Sequence, residues 1–177
     1  MITRFLLTLV VSLLLVNTAW AQRDHLTPQE VDLVKEAQVL DKRTDVFIRA
    51  AERRLLVING TAAANEKQLK KEAERWGELP TGSRAELISD IARIVDEAIT
   101  NIDDVALKDE RNPLIAKSLR KLAASVTSIM NQLKPLSAQA KSEAEIASFE
   151  QLNENAQSIF EAAGKLPPEV EKKAKKN

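Results

Sequence analysis

Residues 112–133 read NPLIAKSLRKLAASVTSIMNQL. Within them Ile115, Leu119, Leu122, Val126, Ile129 and Leu133 recur at spacings of four and three, which is the period of one face of an α-helix. Asn112 before Pro113 supplies an N-cap and a first helical residue whose missing amide hydrogen costs nothing there. No segment of the chain alternates with a period of two. We therefore expect an all-α protein, an antiparallel bundle of four long helices plus one short helix.

Working outward, Ser83-Arg84-Ala85-Glu86 has the form of a capping box and opens a helix with Leu87, Ile91, Ile94, Ala98 and Val105 as its seam. Thr27-Pro28-Gln29-Glu30 repeats that form. The stripe after it (Leu33, Ala37, Leu40, Thr44, Phe47, Ala51, Ile58) predicts one unbroken helix of about 32 residues, roughly 48 Å long, closed at Asn59-Gly60. A short helix is expected from Ala62 to Trp76, stopped by Gly77. Downstream, a last helix over residues 136–163 would turn Ile146, Phe149, Ala156, Ile159 and Phe160 inward. Pro135 leaves two arrangements open. A tight turn there is favoured, and a single long helix kinked at Pro135 is the alternative, because Leu133, Leu136 and Ala140 keep their phase across it.

The 177 residues include no cysteine and one histidine, which excludes disulfides, zinc fingers, thiol nucleophiles and most acid–base or metal constellations. Residues 1–21 run from a basic start through an apolar stretch to Ala19-Trp20-Ala21, the order of a secretory signal peptide cleaved before Gln22. The apolar stretch is short for a membrane span, and no other segment of the chain could make one. The reading is thus a leader at 1–21, a helical bundle at 22–164 and a basic, disordered tail at 165–177. The location that follows is periplasmic or secreted.

Charge is segregated along the chain. Residues 84–110 carry eight acids and three bases, residues 111–142 six bases and no acid, and residues 143–164 five acids and no base. Helices of opposite sign laid side by side would favour correct pairing more than they add stability, since exposed ion pairs are worth on the order of 0 to 1 kcal/mol. In the alternative reading the basic stretch, with Lys117, Arg120, Lys121, Lys134 and Lys141, faces an acidic partner or anionic lipid. Trp76 is a second candidate partner contact. The fourth helix also carries small residues beyond its stripe (Ala116, Ser118, Ala123, Ala124, Ser125, Thr127, Ser128), which suit a central helix or a self-association face. Nucleic acid is not expected, because the bases are sparse and no aromatic residues interleave with them. The lysines at 172, 173, 175 and 176 allow weak contact with anionic surfaces.

No catalytic, cofactor or metal residues are expected. His25 falls before the first cap, in a segment expected to be mobile. Asp90, Asp96, Glu97, Asp103 and Asp104 read as a solvated helix face. Leu26-Thr27-Pro28-Gln29-Glu30 is similar to the L-T-x-x-Q signature of the periplasmic Spy/CpxP-type stress chaperones. Gln29 and Glu30 depart from its order, a second copy is absent, and a capping box accounts for the same residues, so no function is carried over. The expected function is an exported, non-enzymatic interaction or scaffold protein with an unknown protein partner or with itself as partner. A carrier or chaperone for an apolar ligand or unfolded client is the alternative.

Overall fold

The computed structural model describes residues 24–168, so the expected leader and most of the basic tail lie outside the described residues. The helices are α1 (Pro28–Glu36), α2 (Leu40–Ile58), α3 (Glu66–Trp76), α4 (Arg84–Lys108), α5 (Pro113–Ser137) and α6 (Glu143–Gly164), with one 3-10 turn at Ala63–Asn65. The chain is an all-α bundle, and no strand occurs among the described residues. Both capping boxes form: Thr27 and Ser83 accept from the amides of Glu30 and Glu86, whose carboxylates accept from the cap amides in return. Asn112 accepts from the Leu114 amide at 3.0 Å, and Ser142 caps α6 in the same way.

The first expected helix is two helices. The chain leaves helical geometry at Ala37 and re-enters after an extended Val39. Arg43 holds the break open: its Nε donates to the Ala37 carbonyl at 2.9 Å and its Nη1 reaches Asn101 on α4 at 3.0 Å. In one straight helix Glu30 and Arg54 would stand about 36 Å apart. Folding α1 back over α2 brings them to 2.8 Å.

The favoured hairpin forms rather than one kinked helix, with its turn displaced, since Pro135 sits inside the last turn of α5. The helix runs two residues past it, and the reversal falls at residues 138–142. A proline in the final turn removes only one bond that fraying would weaken anyway. The Ser137 hydroxyl donates to the Lys134 carbonyl at 2.9 Å and helps close the end. The result is a hairpin of two helices, with the turn downstream of the proline.

Around the bundle the long helices stand in the order α2, α4, α6, α5, and α2 does not touch α6. Arg54 meets Asp90 and Arg43 meets Asn101, so α2 and α4 run antiparallel. Asp41 meets Lys117 and Asn59 meets Gln132, so α2 and α5 run parallel. Ser148 and Asn155 reach the carbonyls of Ala85 and Ala92, which makes α4 and α6 parallel as well. Consecutive long helices are therefore antiparallel as expected, while two of the four lateral contacts are parallel because the link after α4 crosses the diagonal.

The α5 stripe is buried from Leu119 to Leu133. On α6 the inner line is Phe149, Leu152, Ala156 and Ile159. Ile146 and Phe160, expected inside, are each 42% exposed. At the start of the expected tail, Leu166 packs on the core and the Pro167 carbonyl accepts from Arg120.

Candidate functional site

The most concentrated polar chemistry lies inside the molecule. Arg53 and Arg54 are adjacent on α2, each 1% exposed, and Glu30 on α1 is fully buried. Arg54 grips Glu30 with both ends of its guanidinium, Nη1 to Oε1 and Nη2 to Oε2 at 2.8 Å each. This two-pronged geometry suits arginine and not lysine. The same guanidinium donates to the carbonyls of Ala50 and His25, and its Nε lies 3.7 Å from Asp90 on α4. Glu30 also accepts from the Thr27 amide at 2.9 Å, so one carboxylate caps α1 and ties it to α2.

Arg53 turns the other way. Its Nη2 donates to the carbonyls of Trp76, Gly77 and Glu78, at 3.2, 3.1 and 2.6 Å. A cation there complements the negative end of the α3 dipole. Its carbon centre lies 5.6 Å from the Trp76 ring centroid, within cation–π range. Burial lowers its pKa from the ordinary arginine value, with the Glu30 charge acting in the opposite sense. Two arginines and two carboxylates thus fasten the N-terminal segment, α1, α3 and α4 onto α2. Such a cluster contributes geometric specificity: replacing a buried pair with apolar groups is often neutral, whereas removing one partner is costly.

Beside the cluster lies an open cleft of about 610 Å³ along α4 and α6, lined by His25, Asp90, Arg93, Asp96, Glu97 and Gln151 among others. His25, expected in a mobile segment, is packed against α4. Its side chain is 17% exposed and its Nε2 lies 2.8 Å from Glu97. Asp90, expected on a solvated face, is buried against Arg54. Among the described residues no three His, Asp or Glu side chains converge as metal ligands.

The five partner-contact candidates part company in the structure. Trp76 is 8% exposed and belongs to the core. Lys117 pairs with Asp41 at 2.5 Å and Lys121 with Asp45 at 2.6 Å, both on α2. The hydrogen bond from Lys117 holds Asp41 below the usual carboxylate range and raises Lys117 in turn. The expected attraction between basic α5 and its acidic neighbours is therefore directed elsewhere, because parallel α2 presents Asp41 and Asp45 at the four-residue spacing of Lys117 and Lys121. The acidic helices α4 and α6 are instead bridged by Arg84 and Glu145, a contact that lowers the Glu145 pKa. Arg120 donates to the Pro167 carbonyl, and Lys134 is exposed at a recess of about 250 Å³ with Met130, Phe149 and Asn153. These last two stand on the α6 side of α5.

The buried cluster was missed from the sequence, although Arg53-Arg54 interrupts the apolar run between Ala51 and Leu55. No protein family, curated protein or solved structure matches this chain.

Proposed function

We propose that this is an exported, non-enzymatic interaction or scaffold protein of the cell envelope. The observation that supports it is a filled interior. The space between Phe47, Ile94, Leu122 and Ile129 has no room for a water molecule. The buried charges are spent on fastening helices to one another. What remains available is outer surface on which charge is sorted by helix. No helix of the described residues is long and apolar enough to cross a membrane, and the leader-like residues 1–21 carry the proposed export.

The carrier or chaperone reading draws on a different feature, an apolar groove of about 410 Å³ beneath α3 lined by Ala62, Leu69, Ala73 and Leu79. Dye binding separates the two readings. A scaffold with this closed core leaves ANS fluorescence unchanged in the native state, whereas a carrier enhances it and loses the enhancement on Leu69→Glu substitution. Fractionation of the host should find the chain outside the cytoplasm and beginning at Gln22. A cytoplasmic, unprocessed chain would overturn the export part of the proposal.

A further inference from the structure

The outer groove between α5 and α6 is left open by the fold. On α6, Ile146, Asn153 and Phe160 are seven residues apart, and on α5 so are Ala123, Met130 and Ser137. Seven-residue spacing keeps each trio on one line along its helix. Met130, Ser137 and Asn153 share the recess between the helices, so the two lines face each other across it. Both Ile146 and Phe160 are 42% exposed, the price of lying beside the inner stripe. The groove is edged on α6 by Glu143, Glu150, Glu154 and Glu161, and on α5 by Arg120 and Lys134. Lys134, Glu150 and Glu154 have no ion-pair partner among the described residues, since the α5 lysines nearer the other edge are committed to α2.

We infer that this face is where a second copy of the chain docks, forming a two-fold dimer through the α5–α6 hairpin. The inference rests on the interaction reading above and names its partner. The reason is self-complementarity. One helix of the face is wholly basic in its charges and the other wholly acidic, and between them runs an apolar line broken by Asn153 and Ser137. A two-fold axis parallel to the hairpin exchanges α5 for α6 without changing height along the bundle. Leu133 and Phe149 share one recess, as do Met130 and Asn153, so Lys134 is level with Glu150 and Arg120 lies near the level of Glu161. In the dimer Lys134 of each copy therefore meets Glu150 of the other, and the Ile146 and Phe160 side chains leave water together. An unrelated acidic or basic partner would match only half of this face. A hairpin about 33 Å long and about 20 Å wide offers roughly 650 Å² per copy, close to the roughly 800 Å² per partner of a standard interface.

Sedimentation velocity on the purified full chain over a wide concentration range tests this. The wild type should pass from monomer to dimer, more weakly at high salt. Phe160→Glu should weaken association by roughly tenfold or more, and Lys134→Glu or Glu150→Lys alone by roughly three- to tenfold. These positions are exposed, so circular dichroism should show unchanged folding. Lys134→Glu combined with Glu150→Lys in one chain should restore dimerisation, and mixing the two single variants should yield heterodimers in preference to either homodimer. A strictly monomeric wild type overturns the inference but leaves the interaction reading to its own dye test. A dimer indifferent to Phe160→Glu and to the charge exchange also overturns it, because the contact would then lie elsewhere.

Discussion

The two ends of the charge distribution behave oppositely. Around Arg53 and Arg54, cations and carboxylates are sealed from water and joined within one molecule. Along the α5–α6 face, opposite charges stand on separate helices, exposed, with a broken apolar line between them. The first arrangement can only hold a fold together. The second costs the monomer little and is the face on which the proposed dimer rests. Composition gives 26 charges of each sign and cannot distinguish them; position in the bundle does.

The largest expected effect lies in the sealed region. Glu30→Ala leaves Arg54 buried and unpaired, and chemical denaturation should show a loss of roughly 3–5 kcal/mol. Glu30→Met together with Arg54→Leu should recover much of that, since the whole pair is then removed; no recovery would mean that Glu30 matters chiefly through the α1 cap. Next, Phe149→Ala should cost about 3 kcal/mol, as for other buried aromatic truncations, while Phe160→Ala should stay within about 0.5 kcal/mol at concentrations where the chain is monomeric. Equal losses at the two positions would place Phe160 in the core and remove the contrast.

Acid should act on the intermediate class of contacts. Asp41 is lowered by its bond from Lys117 and Glu145 by its bond from Arg84. Burial alone would raise Glu72, but the hydrogen bonds from Gln68 and Arg49 outweigh it and hold it low. Each contributes stability that is complete above the ordinary carboxylate range and fades as pH falls through its depressed native value. Thermal melts should thus fall in Tm below about pH 4, and Asp41→Asn should shrink that fall. Lys117, raised by Asp41, works at the other extreme: its contribution is complete below its ordinary 10.5 and disappears at higher pH. Another small change is Pro135→Ala, expected within about 1 kcal/mol because the proline occupies a terminal turn. Loss of the α5–α6 hairpin in that variant would make the proline the source of the reversal.

Much of the bundle was legible in the sequence. The seams of α4 and α5 and the two capping boxes follow from local spacing, and they form as read. The break at residues 37–39 was not legible, because it contains neither glycine nor proline and Leu33, Ala37 and Leu40 stay in phase across it. It is held by Arg43, Arg54 and Glu30 through contacts distant in sequence. The α6 seam was half legible: two apolar lines share that helix, and only packing decides that Phe149 and Leu152 go inward while Ile146 and Phe160 stay at the edge. Net charge identified α5 as the basic helix, but not that α2 would take Lys117 and Lys121 and leave Arg120 and Lys134 on the open side.

Native mass spectrometry of the protein purified from its own host bears most directly on the central claim, a closed bundle that works through its outer surface. Bare polypeptide is expected, at the mass of one chain and of two, with the doubled species fading on dilution. A species carrying a few hundred daltons of bound small molecule through purification would contradict it, and would move the function to the groove beneath α3.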